Sequence, residues 1–328
     1  MPDISLFEPT VLRGVVEKLQ SPESLIMLNT LPRTPWPYPN VTWDVIKGSR
    51  QVAAPNVPNS EAHIVPRLGI GQESAAFVYL REKKVFEPTT LHWLRAPGTM
   101  SNVANAEAAV LREVADLNLR FDNFAEWACW KALTGTLTLD YEDVQATVSY
   151  NIAGSHKPSP GTAWTSATPT QIAADIKAWK RLISRDARVR AKDAWATEVT
   201  LDKVFQSFAN QPNLLSDRAK DQYYSTGILP GFMGLDWHVT ESFYDNTGGT
   251  ATLFVPDAAL YITNLDEGRA MEIMEGPTAD DEAPEGFVGK FSKTWKEKDP
   301  SARQFLLEWH LLPVITRPEQ IVYISSVG

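Results

Sequence analysis

The sequence predicts an α+β fold, on three observations. One long stretch, from Val103 to Ala128, repeats apolar residues at intervals of three and four, the period of one helix face. Shorter segments alternate, as at Val41, Trp43 and Val45 and again at Phe305, Leu307, Trp309 and Leu311, which is the period of a strand. The chain of 328 residues carries 23 prolines, and each removes a backbone donor and fixes φ, so much of the chain between the elements is extended.

The elements follow in order. Pro9 to Leu19 is expected to form a short helix with Val11, Val15 and Leu19 on one face. Ser21 as N-cap and Pro22 at the first helical position predict a second helix through Leu28. Prolines 32, 35, 37 and 39 then predict a polyproline-like strap. Its Trp36 and Tyr38 are costly to leave in water, so the strap should lie across a surface. Strand-like segments, from Val41 and over Ala75–Phe86, flank a Gly/Pro/Asn-rich tip at Gly48–Ser60. A ribbon of two strands is marginal by itself, so something else must cover it.

The long helix is expected to be capped by Ser101 or Asn102, to carry Glu107 near its positive end and to stop at Gly135. Its stripe is Val103, Ala106, Val110, Val114, Leu117, Phe121, Phe124 and Ala128. Alanine and phenylalanine stand where a coiled coil would want Leu or Ile, which favours a helix packed along a sheet. At 1.5 Å per residue it should be about 48 Å long. Thr136–Leu139 and Ala146–Asn151 read as strands about an acidic turn at Asp140–Asp143. Beyond the linker Gly154–Thr162, Thr168 should cap a helix opening at Pro169 and running past Trp179, and another helix should begin near Thr200. Leu235–Tyr244 and Leu260–Asn264 read as strands, and Asp266–Glu285 as an acidic loop. At the end the 305–311 strand turns at Arg317-Pro318, and Ile321–Ser325 should pair back on it.

Composition bounds the function. The net charge of −9 argues against sequence-driven nucleic-acid binding, which leaves a basic footprint. Cys129 is the single cysteine, so an intramolecular disulfide and a cysteine-based zinc site are both excluded, consistent with a reducing cytoplasm. No apolar run reaches the length of a membrane span, and the first residues do not have the pattern of a signal peptide.

No residue is assigned a catalytic, cofactor-binding or metal-binding role. The histidines, His63, His92, His156, His238 and His310, lack metal-ligand spacing such as H-E-x-x-H. Gly69, Gly71 and Ser74 imitate part of G-x-G-x-x-G, but the third glycine is missing and the segment precedes a strand where the motif would follow one. Neither G-x-S-x-G nor a P-loop occurs. Cys129, between Trp127 and Trp130, is expected in the core. Asp280, Asp281 and Glu282 could hold a hard cation but lack EF-hand spacing, and a solvated loop is the simpler reading. Lys177, Arg181, Arg185, Arg188 and Lys192 form a basic stripe with Asp175, Asp186 and Asp193 interspersed. An ion-pair surface between subunits and a DNA contact both fit it.

The order of these pieces, with particular segments, resembles the lambda major capsid protein E family of tailed phages. The segments are Thr42-Trp-Asp-Val-Ile-Lys-Gly-Ser-Arg50 with Ala53-Ala-Pro-Asn-Val-Pro58, Val78–Phe86, Leu133-Thr-Gly135, Leu260–Asn264 and Phe305–Ser325. The resemblance runs from about residue 22 to the end. It implies the Johnson fold of tailed-phage and herpesvirus capsids: an N-terminal arm at 1–40, an E-loop hairpin at 41–95, a P-domain at 96–153 and 286–328 with a long spine helix, and an A-domain at 154–285. It further implies a subunit with no enzymatic activity that forms hexamers and pentamers of an icosahedral shell around packaged double-stranded DNA, which it contacts only non-specifically. Because no long charged helical segment precedes the arm, a separate scaffold protein is expected. The resemblance adds a portal at one vertex, room for a decoration protein, no membrane, and assembly in the host bacterial cytoplasm before residence in the virion. An encapsulin-like compartment shell and a soluble α+β hydrolase are the alternatives.

Overall fold

The computed structural model describes residues 9–46, 70–87, 103–141, 144–209, 216–226, 231–245, 249–299 and 301–328. The chain divides into two compact units. The first takes Met1–Val41, Ala75–Cys129 and Glu272–Pro313, the second Thr42–Ser74, Trp130–Met271 and Val314–Gly328.

In the first unit, helices α1 (Pro9–Lys18), α2 (Ile26–Thr30) and most of α3 (Val103–Leu133) accompany a five-stranded sheet. Its strands are β1 (Arg33–Pro35), β4 (Val78–Phe86), β12 (Met271–Glu275), β13 (Phe291–Lys298) and β14 (Ser301–Ile315), in the order β1-β12-β14-β13 with β4 also on β14. β14 is the spine of the sheet. Its expected alternation understates its burial, because Leu306, Glu308, His310 and Leu312 on the other face are buried as well. β13 and β4 both run antiparallel to it, pairing Phe291 with Glu308 and Leu80 with Trp309.

Several expectations fail here, either because a strand is too polar to show its period or because its pairing partner is distant in sequence. The hairpin partner of β14 is β13, not Ile321–Ser325. β13 reads Phe-Ser-Lys-Thr-Trp-Lys-Glu-Lys, which is too polar to show a strand period. The supposed acidic loop 266–285 contains β12, whose Met271 and Ile273 are fully buried. The proline strap contains a strand too: β1 runs parallel to β12, with Arg33 opposite Ile273. Proline lacks a donor but keeps its carbonyl, which suffices at a sheet edge. The Ile273 amide donates to the Pro32 carbonyl at 2.9 Å, and the Trp36 amide to that of Glu275 at 2.8 Å. Trp36 and Tyr38 meet edge to face at 6.0 Å, yet Tyr38 remains 64% exposed.

The face of α1 is also turned from the expected one. Leu12 and Val16 are buried while Val11 is exposed, because α1 lies on β13 with the Arg13 guanidinium 5.2 Å from the Phe291 ring centroid. Ser21 caps no helix, since α2 begins only at Ile26. The expected strand Ala75–Phe86 breaks at Phe77. Its first part belongs to β3 (Ile70–Ala76), which among the described residues pairs only with β2 (Asn40–Ile46), and its second part is β4. In β2 the alternation holds, with Val41, Trp43 and Val45 buried. The tip Gly48–Ser60 and the caps Ser101 and Asn102 lie outside the described residues.

α3 buries Val110, Val114, Leu117, Phe121 and Ala128 as its spacing predicts, with Ala125 buried beside the half-exposed Phe124. It ends where Gly135 takes a left-handed φ of 95°, a conformation that favours glycine.

The second unit holds a four-stranded sheet ordered β15 (Ile321–Ile324), β11 (Leu260–Thr263), β7 (Asp193–Ala196) and β8 (Asp236–Val239). Here lies the partner of the C-terminal segment: Ile324 stands opposite Leu260. Against this sheet pack α4 (Pro169–Asp186) and α5 (Glu198–Ala209), with α6 (Asp217–Thr226) alongside. α4 is the expected helix. Thr168 and Gln171 form a reciprocal capping box with Pro169 first, and Ile172, Ile176, Trp179 and Ile183 make the buried stripe. Trp164 stacks on Trp179 at 5.6 Å. The expected strand Leu235–Tyr244 is two strands, β8 and β9 (Phe243–Asp245). β9 forms a hairpin with β10 (Ala251–Leu253), and β5 (Thr136–Tyr141) forms another with β6 (Val144–Ser149).

Candidate functional site

On the long helix, one row of residues departs from the apolar pattern. Asn118, Asp122 and Glu126 are spaced by four and are all buried. Spacing by four places side chains one above another on a helix, so the three form a continuous polar seam. The seam holds the N-terminal segment. The Met27 and Leu28 amides donate to the two Glu126 oxygens at 3.1 and 2.8 Å, and Ser21 Oγ donates to Asp122 Oδ2 at 3.0 Å. Met27 and Leu28 are in the first turn of α2, whose amides have no partner inside the helix. Leu25, the residue before α2, offers no side-chain cap, so Glu126 supplies it.

Lys290 closes the seam from the other side, donating to Asn118 Oδ1 at 2.6 Å and Asp122 Oδ1 at 2.5 Å. Its ammonium also sits 4.8 Å from the Trp309 ring centroid. Burial holds the Lys290 pKa below its usual value, against the pull of Asp122. Sequence reasoning missed these residues. The signal was present, as polar residues at 118, 122 and 126 inside an apolar helix, but its meaning required knowing what faced it.

A second buried polar cluster ties β4 to β14. Glu308 Oε1 accepts from Thr278 Oγ1 at 2.7 Å and from the Ala279 amide at 2.8 Å, and Arg81 Nε stands 3.2 Å from Glu308 Oε2. His310 donates through Nδ1 to the Pro277 carbonyl at 2.6 Å, and its Nε2 is 3.1 Å from Glu308 Oε1. Burial pushes the His310 pKa down, more strongly than the Pro277 carbonyl and Glu308 raise it.

The other residues singled out from the sequence have structural partners. His156 bridges the Ile321 carbonyl and Asp186, at 2.9 Å each. His238 stacks on Trp195 at 4.0 Å and meets Asp193 at 2.8 Å. Cys129 is fully buried, and burial raises its thiol pKa well above the usual value. Asp280 is tied to Lys293 at 2.6 Å and Arg81 at 3.2 Å, while Asp281 and Glu282 face solvent. Gly71 and Ser74 lie in β3. His63, His92 and Gly69 lie outside the described residues. Among the described residues no helix is long and apolar enough to cross a membrane.

Two buried polar seams that fasten peripheral segments in place, a two-stranded ribbon and aromatics left in solvent suit a structural subunit. Solved structures share this fold. A prophage capsid protein of E. coli CFT073 superposes with a TM-score of 0.69 at 13% identity, covering 97% of this chain and 98% of that one. A phage-related protein from Bordetella bronchiseptica RB50 gives 0.54 at 11% identity, covering 97% of each. The SrpI encapsulin of Synechococcus elongatus PCC 7942 gives 0.52 at 7%, covering 93% and 88%. No curated protein sequence matches. The family model described as phage major capsid protein E matches residues 8–325, and the chain belongs to that family. Its fold is the Johnson fold, and its role is that of a shell-forming structural protein of the virion, which associates with copies of itself.

Proposed function

We propose that the chain forms hexamers and pentamers of an icosahedral shell around packaged double-stranded DNA, with no catalytic step of its own. The observation that carries this reading is the β2–β3 ribbon, which pairs with no further strand among the described residues. Such a ribbon is marginal alone and presents strand edges that a neighbouring chain can complete. The exposed Tyr38, two residues before β2 in sequence, adds apolar surface for the same use.

On this reading residues 1–40 are the arm, 41–95 the E-loop, 96–153 with 286–328 the P-domain, and 154–285 the A-domain. A separate scaffold protein, a portal at one vertex and a decoration protein are the expected partners. DNA is contacted without sequence preference, and assembly takes place in the host cytoplasm. Negative-stain microscopy of purified protein across salt and concentration, with and without its scaffold, should show capsomers, shells or tubes. Replacing residues 50–74 by a short Gly/Ser turn should leave a folded subunit that no longer assembles. A protein that stays monomeric throughout, or normal shells from the shortened chain, would contradict the reading. Shells that copurify with an enzyme in place of DNA would identify a compartment instead.

A further inference from the structure

Of the aspartates interspersed in the basic stripe, Asp186 alone pairs with a member of it, Arg185, so most of its charge is left. Asp175 accepts from Trp164 Nε1 at 3.1 Å. Asp186 is buried between His156 and Arg185, at 2.9 and 2.7 Å, and Asp193 is buried on His238. Lys192 is paired with Asp266. What remains is Lys177, Arg181 and Arg188, all exposed, with no carboxylate at ion-pairing distance among the described residues.

Lys177, Arg181 and Arg185 lie one turn apart along α4, about 6 Å per step, and Arg188 follows in the left-handed position just past the helix end, at φ 62°. Like charges four apart destabilise a helix. Asp186 compensates Arg185, and the negative end of the helix favours Arg188 but fades within one turn, which leaves the charge of Lys177 and Arg181 open to another anion.

The chain itself offers one. In the acidic run after β12, Asp280 is held by Lys293 and Arg81, and Glu282 keeps a 3.6 Å contact with Lys293. Asp281 and Glu285 are exposed with no cation at ion-pairing distance among the described residues. The net charge of −9 repels a nucleic acid at long range but leaves each copy with carboxylates to spare. We propose that the basic face of α4 docks the acidic run 281–285 of a second copy of this chain. The surface given differs from the surface received, so the contact is head to tail, and repetition closes a ring or extends a lattice. This inference rests on the self-assembly reading above and names one of its contacts.

The test is charge reversal on the full-length chain, read by sedimentation velocity and microscopy at low salt. Lys177→Glu/Arg181→Glu/Arg188→Glu should lower the assembled fraction about tenfold, as should Asp281→Lys/Glu282→Lys/Glu285→Lys, and combining the two sets should restore assembly. Circular dichroism checks folding. Should the glutamate set misfold, Lys177→Gln/Arg181→Gln/Arg188→Gln carries the same expectation. A wild type that never assembles removes the underlying reading and this contact with it. A wild type and a basic-face variant that assemble equally overturn this contact alone. Loss without rescue rejects the acidic run as the partner. Fluorescence anisotropy with a labelled DNA duplex covers the remaining case. Duplex binding that the basic-face variant loses while still assembling would make the row a nucleic-acid surface and overturn the proposal.

Discussion

Glu126 Oε2 accepts the Leu28 amide at 2.8 Å across 98 residues of sequence, so the long helix caps a short one that has no cap of its own. Glu126→Ala should therefore free two buried amides and a helix start. Losing a cap costs about 1 kcal/mol, and leaving buried donors unpaired adds a similar amount. The urea midpoint should fall accordingly, and proteolysis between residues 19 and 26 should quicken. An unchanged midpoint would show that α2 does not depend on the seam.

The ion pair of Lys290 and Asp122 is buried, with side-chain exposures of 15% and 1%. Removing one member of such a pair strands the other, at about 3–5 kcal/mol, whereas removing both is far milder. Lys290→Met should therefore be more damaging than Lys290→Met/Asp122→Asn. A double-mutant cycle by chemical denaturation should give a coupling above about 1 kcal/mol. Additive effects would mean the pair contributes nothing as a pair.

His310 supplies a pH dependence. Burial depresses its pKa below the ordinary 6.5 in the folded chain, so as pH falls the unfolded chain binds this proton first. The stabilisation is complete above about pH 6.5 and is lost progressively below it. His310→Gln should flatten the decline between about pH 7 and pH 5 relative to the wild type. Parallel slopes for the two proteins would assign the dependence to other groups.

Cys129 should be silent. Its thiol is fully buried and its pKa is raised well above 9.0, first by burial and then by the charge of Glu126, and the thiolate is the reactive form. Ellman's reagent should not react with the native protein and should titrate one thiol after denaturation. Boiled, unreduced particles should run as a 36.5 kDa band. A ladder of multimers would reveal a covalent link between subunits.

What the sequence by itself determined is what local spacing encodes. The capping box at Thr168 and Gln171, the stop at Gly135, the alternation at Val41, Trp43 and Val45, and the stripe of α3 are each set by residues within a few positions of one another. The order of these elements also carried the family resemblance. Only the tertiary structure decided the parallel pairing of β1 with β12, the partnership of β15 with β11, and the burial of Asp186 against His156 and of Asp193 against His238. The physical reason is that an extended strand gets its hydrogen bonds from another segment's backbone, and a buried carboxylate gets its compensation from whatever packs over it. Thr34 donates to Glu272 across 238 residues, and a partner that far away leaves no period in the local sequence.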